Sequence, residues 1–186
     1  NQTSFGSAAN FQTLRLQLFG DYEAMDEDSI ISSALDIYSD ESSLKNEFGN
    51  VLNIECEDEQ VQKVLHNLFY DILNVEFNLW PWLRNMVKYG DFFLKLDITE
   101  KFGITNVSPI SAYELFREEG FDPEDPEGVR FLHESLGGSN PNGGTRTFYE
   151  NYEIAHFRML SDTNFLPYGK SMLEGARKVW KQLTLM

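Results

Sequence analysis

The stretch Asn164-Phe-Leu-Pro-Tyr-Gly-Lys-Ser171 ends in Gly169-Lys170-Ser171, the residue types with which a phosphate-binding loop closes over a nucleotide. That loop needs G-x-x-x-x-G-K-[ST], because the first glycine lets the backbone fold around the β-phosphate while the lysine reaches the β and γ oxygens. Here the first position is Asn164, and Pro167 removes a backbone N–H donor from the would-be cradle. Leu160 to Phe165 also lacks the character of a buried parallel strand feeding such a loop. A turn followed by a helix start, with Gly169 and Ser171 supplying turn and capping chemistry, is the simpler reading. A nucleotide-binding enzyme built on Gly169-Lys170-Ser171 is the alternative to it.

Other reactive residue types are scattered. His66, His133 and His156 have no Cys or His partner at metal-ligand spacing. His66 reads as an edge or surface residue of a helix, and His156 as a strand side chain satisfied by a hydrogen bond. Cys56 lies between Glu55 and Glu57, where like charge disfavours the thiolate. No Gly-x-Ser-x-Gly elbow is present. The acidic turns admit a calcium-dependent interaction module: with Gly128 at position 6 of a calcium loop, Asp125, Glu127 and Glu134 fall on ligand positions, but position 1 is Pro123. Paired carboxylates such as Asp26 and Asp28 are too common in so acidic a chain to imply acid–base catalysis. The expectation is therefore no catalytic residue, no cofactor and no metal.

The elements that would position these residues follow from periodicity. Asp28 to Tyr38 places Ile30, Ile31, Ala34, Leu35 and Tyr38 on one helix face, opened by acids suited to a helix N-terminus. From Asp58 to about Asn74, Val61, Val64, Leu65, Leu68, Phe69, Ile72 and Leu73 form a second stripe. A third helix is expected from Trp80, with Pro81 in its first turn and Gly90 just past its end. Phe92, Leu94, Leu96 and Ile98 then alternate with Phe93, Lys95 and Asp97, the pattern of a strand with one buried face. Further strands are expected near Gly103 to Ile110, Gly128 to Glu134 and Thr147 to Met159. Gly137 to Gly144 reads as a loop or hairpin tip, Phe121 to Pro126 as a turn, and Ser171 to Met186 as a closing helix. Helices, then a small, mainly antiparallel sheet, then a helix make an α+β domain.

Among 186 residues, 30 acids against 15 bases give a formal charge of −15, which argues against a phosphate-gripping surface. Asp21 to Gln60 holds thirteen acids and one base, whereas His156 to Met186 holds five bases and two acids. Ends of opposite sign suit docking between copies, and a solvated acidic face is the plainer account. Fifteen Phe supply enough apolar bulk for a folded core. A single cysteine implies a reducing compartment, and the sequons at Asn1 and Asn106 then read as chance matches. An N-terminal Asn and an apolar helical pattern running to Met186 are expected of a fragment.

Three blocks carry a resemblance. Met25 to Glu41 (MDEDSIISSALDIYSDE), Met86 to Asp91 (MVKYGD) and Phe165 to Leu183 (FLPYGKSMLEGARKVWKQL) are similar to successive blocks of the portal, or head-to-tail connector, proteins of T-even-like contractile-tailed phages. They occur in that family's order, from about Phe11 onward.

The resemblance implies residues 1–24 as an N-terminal arm or helix, 25–168 as wing domain, and 169–186 as the start of a long stem helix, with the remaining stem, clip and crown absent. It implies a non-enzymatic dodecameric ring at one capsid vertex of the virion, assembled in the host cytoplasm. Such a ring starts head assembly with major capsid and scaffold proteins, docks the terminase large subunit, conducts double-stranded DNA without sequence specificity and receives neck and tail proteins. The piece by itself is expected to be a monomer or small oligomer. A sliding conduit suits an acidic, weakly adhesive protein, and ring closure needs a heterologous interface. Arg177, Lys178 and Lys181 are the residues expected to meet acidic groups of a neighbouring subunit. The Gly137 to Gly144 loop departs from the family, and no DNA-facing residue is assigned.

Overall fold

The computed structural model of the chain describes residues 3–135, 146–159 and 165–184, with residues 3–11 as backbone alone. The expected loop at Gly137 to Gly144 lies outside the described residues, as does Asn164. Among the described residues the architecture is α+β, with five α-helices and two three-stranded antiparallel sheets. Helices α1 (Thr3–Asp26), α2 (Ser29–Ser42), α3 (Glu59–His66) and α4 (Val75–Tyr89) precede strands β1 (Asp91–Thr99) and β2 (Gly103–Ile110), which form one sheet with β6 (Ile154–Arg158) in the order β2-β1-β6. Strands β3 (Leu115–Glu119), β4 (Val129–Glu134) and β5 (Arg146–Glu150) form the second, and helix α5 (Glu174–Thr184) closes the chain.

Local chemistry accounts for the helix starts. Asp28 caps α2, its Oδ1 accepting from Ile30 N at 2.9 Å, and Asp58 caps α3, accepting from Gln60 N at 2.7 Å. Past the end of α4, Gly90 takes φ 85°, a left-handed conformation that suits glycine, and its N–H bonds Met86 O at 2.7 Å.

Several expectations are corrected. The second apolar stripe is not one α-helix: after His66 the backbone widens into a π-helical turn, Asn67–Ile72, and Asn74 at φ 44° separates it from α4. Helix α4 starts at Val75, so Pro81 lies inside it rather than in its first turn. Partial burial of Val75, Leu79, Trp82, Leu83 and Met86 toward the sheet outweighs the backbone bond that proline forgoes. Thr147 to Met159 is not one strand. A 3-10 turn at Asn151–Glu153, closed by Glu150 N–H donating to Glu153 Oε2 at 2.8 Å, sends β5 and β6 into different sheets. Strand β3 escapes the periodicity altogether, because Leu115 and Phe116 are both buried and leave no alternation. The closing helix is 11 residues long, short of the long stem helix the resemblance implies.

Strand β1 is the central element, and both of its faces are covered at its first half, where Phe92, Phe93 and Leu94 are all buried. Ile98, expected inside, is exposed beyond a bulge at Asp97/Ile98. On one face Phe93 meets Phe131 of the second sheet edge-on at 6.2 Å, joining Phe19, Tyr22 and Met25 of α1 and Leu35 of α2 in the core. On the other face Phe92, Leu94 and Leu96 look toward the π-helical turn and α4 across an apolar cavity of about 350 Å³.

Candidate functional site: the joint between α4, β1 and the loop into α5

The two glycine-bearing blocks of the sequence, Met86 to Asp91 and Phe165 to Leu183, meet in space. Gly90 and Gly169 pack backbone to backbone. A Cβ on Gly169 would overlap the Gly90 carbonyl oxygen and come 2.8 Å from Met159 N, and a Cβ on Gly90 would come 2.7 Å from Lys170 C and Ser171 N. Hydrogen bonds fix the approach. Met159 N donates to Gly90 O at 2.9 Å, Met172 N to Val87 O at 3.1 Å, and Ser171 Oγ to Lys88 O at 2.5 Å. The last carbonyls of α4 are thereby satisfied by the incoming loop. Ser171 Oγ also accepts from Leu173 N at 3.0 Å, so one hydroxyl closes α4 and opens the turn into α5.

Behind the glycines sits a buried carboxylate. Asp91, 2% exposed, accepts from Gly169 N at 2.8 Å, lies 2.8 Å from His156 Nε2 on β6, and faces Arg15 Nη2 of α1 at 3.6 Å. His156 stacks on Phe93 at 4.4 Å. Arg15 donates Nη1 to Leu115 O at 3.2 Å and lies between the rings of Tyr168 at 3.9 Å and Phe19 at 4.7 Å. Burial lowers the Arg15 pKa from its ordinary value and raises that of Tyr168, whose hydroxyl accepts from Arg117 N at 2.8 Å. One side chain thus ties α1, β1, β6 and the loop before α5 together.

The remaining block, Met25 to Glu41, reaches the same helix from the other side. Arg84 of α4 grips Asp26 with two bonds, Nη2 to Oδ1 at 2.8 Å and Nη1 to Oδ2 at 3.1 Å, and adds Asp36 Oδ1 at 2.6 Å and Ser32 Oγ at 3.0 Å. Lys88 Nζ stands 2.9 Å from Asp26, and Trp80 Nε1 donates to Asp40 at 2.7 Å. The bonds from Arg84, reinforced by Lys88, hold the Asp26 carboxyl well below the usual carboxylate range. Part of the acidic stretch is therefore an internal clamp on α4 rather than a solvated face.

The residues expected at a subunit interface divide. Arg177 donates Nε and Nη2 to Glu174 at 2.7 and 2.9 Å and Nη1 to Asp21 at 3.0 Å, and Lys181 Nζ lies 2.6 Å from the same Asp21. Both engage carboxylates of their own chain. Lys178 is exposed and has no partner among the described residues.

In the Gly169-Lys170-Ser171 turn, the Gly169 amide is given to Asp91 and the Ser171 hydroxyl to α4, while the Lys170 ammonium sits 5.7 Å from the Phe165 ring. For the calcium reading, Glu134 Oε1 is 2.7 Å from Arg146 Nε, and Asp125 carries the backbone turn, its carbonyl accepting from Gly128 N at 3.1 Å. Among the described residues no group of three or more His, Cys, Asp or Glu side chains is placed to share a metal ion. His66 stacks on Tyr70 at 4.3 Å, and His133 lies 3.5 Å from Glu114.

Sequence reasoning missed Arg15, Asp91 and Arg84. Asp91 carried a signal, an acid heading the apolar run Phe92-Phe93-Leu94, which demands a buried partner. Comparison of the chain with known protein families and with curated proteins finds no match to either.

Proposed function

We propose that this chain is a structural assembly element, the wing of a portal ring at the unique vertex of a tailed-phage capsid, and that it carries no catalysis. One observation supports this most: the three blocks that resemble portal proteins, far apart in sequence, are joined by direct bonds, Lys88 of the second to Asp26 of the first and Asp91 of the second to Gly169 of the third. A joint of this kind sets where α5 leaves the body. In a ring, that direction would decide how each copy meets the next.

In this reading the full-length protein closes into a dodecamer, starts head assembly with capsid and scaffold proteins, docks the terminase and later the neck and tail, and passes DNA through an acidic, weakly adhesive channel. Residues 25–168 form the wing, and α5 begins the stem. Large apolar side chains on the surface, among them Ile30, Phe48, Val64 and Phe77, all at least two-thirds exposed, suit burial between neighbours. Lys178 is the α5 cation placed to reach a neighbour's carboxylate.

Electron microscopy and sedimentation of the full-length protein test the proposal. Twelvefold rings are expected, and Lys178→Glu should loosen them in a salt-dependent way while leaving the subunit's melting temperature unchanged. A full-length protein that stays solitary at high concentration would refute it.

A further inference from the structure

The outer face of the β2-β1-β6 sheet is incompletely filled. Between it and the helical segments above lies the cavity of about 350 Å³, open to solvent on one side. Phe92, Leu94 and Leu96 of β1 and Ala155 of β6 form its floor, and Leu79, Leu83 and Met86 of α4 form its roof. Leu68 and Phe69 of the π-helical turn add a further wall. Most of these side chains are only partly buried, so the space can be reached from water.

Among the described residues, no polar atom lines it. Water entering such a space forfeits hydrogen bonds and gains none, so apolar cavities take up hydrocarbon instead. An apolar cavity of about 150 Å³ holds one benzene, so this one has room for roughly twice as many carbons, on the order of twelve. The accessible surface inside it is far smaller than the roughly 800 Å² per partner that a stable protein interface buries, which favours a small molecule over a second copy of the chain. The segment that forms one wall also holds two departures from regular helix, the π-helical turn Asn67–Ile72 and Asn74 at φ 44°. Widened or left-handed backbone is frequent at the edges of ligand sites.

We propose that this cavity binds the unbranched alkyl chain of a small amphiphile, with the chain held between α4 and β1 and the head group in water at the open side. With no polar side chain to recognise the head, chain length sets the affinity and head chemistry does not. The proposal is independent of the portal reading, since it concerns this chain as a single subunit.

The test is titration of this chain with hexanol, octanol and decanol, followed by calorimetry and thermal shift. Each should bind one per chain, and affinity should rise about fourfold per added methylene, with decanol raising the melting temperature most. Octyl glucoside, which has the octanol chain and a different head, should bind as octanol does. Octanediol with a hydroxyl at each end must bury one of them, and should bind at least about tenfold more weakly than octanol. Intermolecular nuclear Overhauser effects should connect the terminal methyl of octanol to Phe92 and Leu94.

Ala155→Leu fills the cavity from the sheet side and should weaken octanol binding at least about tenfold. Leu79→Phe fills it from the helix side and serves if the first variant does not fold. Phe48, 86% exposed and not part of the lining, is the control, and Phe48→Ser should leave binding unchanged. Absence of saturable binding, affinity indifferent to chain length, or octanediol binding as tightly as octanol would overturn the assignment. So would binding that survives the filling variants, or an equal loss in Phe48→Ser.

Discussion

The two faces of the β2-β1-β6 sheet are built on opposite principles. The inner face carries Asp91, Phe93 and His156, and its contacts are short, directional and fitted so closely that two glycines cannot accept a Cβ. The outer face carries Phe92, Leu94, Leu96, Ala155 and Phe157 against the π-helical turn and α4, encloses about 350 Å³, and is lined by apolar side chains alone. Apolar burial is non-directional and tolerates slack, whereas a buried charge tolerates almost none. The outer face thus contributes bulk stability. The inner one specifies a single arrangement of α1, β1 and the path into α5.

The sharpest way to break this contrast is to place a methyl group on each face. Gly169→Ala puts it against Gly90 O and Met159 N, both backbone atoms that cannot move aside, and should cost about 4 kcal/mol or more, a fall in melting temperature on the order of 10 °C by circular dichroism. A variant melting with the parent protein would show the joint to be loose.

Removing the buried acid comes next. Asp91→Ala leaves Arg15 without the carboxylate it faces and the Gly169 amide without its acceptor, and about 3–4 kcal/mol should be lost in urea denaturation. A loss under about 1 kcal/mol would mean that solvent reaches the hub.

The acid clamp on α4 gives a pH dependence. Asp26 has a depressed pKa in the folded state, so its contribution is complete above the ordinary carboxylate value and is lost as pH falls toward the folded one. Asp26→Asn should therefore remove about 1–2 kcal/mol at pH 7 and flatten the decline in stability below about pH 4. If the variant's acid limb keeps the parent slope, other carboxylates govern it.

The smallest effect belongs to the outer face and has the opposite sign. Ala155→Val adds β-branched bulk to the apolar cavity and should raise stability by about 0.5–1 kcal/mol. Destabilisation there would show that the outer face is as tightly fitted as the inner.

What the sequence discloses follows the range of the interaction. Asp28 and Asp58 announce their helices because a cap bonds residues two or three positions away, and Gly90 announces a stop because left-handed backbone is a local property. Ser171 as a turn residue ahead of α5 is legible for the same reason. Pro81 misleads about the start of α4 because the buried stripe that overrides it is defined by a sheet formed later in the chain. The hub is the least legible. Arg15 bonds Leu115 across 100 residues, and nothing near Arg15 in sequence distinguishes it from a surface arginine. Asp91 at the head of an apolar strand was the one visible hint.

The mutual exclusion of side chains at Gly90 and Gly169 has a genetic consequence. Where two bulky residues collide, a shrinking change at one can restore the fit, but here both partners are already at the minimum. A lesion at position 169 therefore has no compensating change at position 90. Revertants selected from such a lesion should be true reversions to glycine, or carry second changes in the loop that lead the chain away from β1.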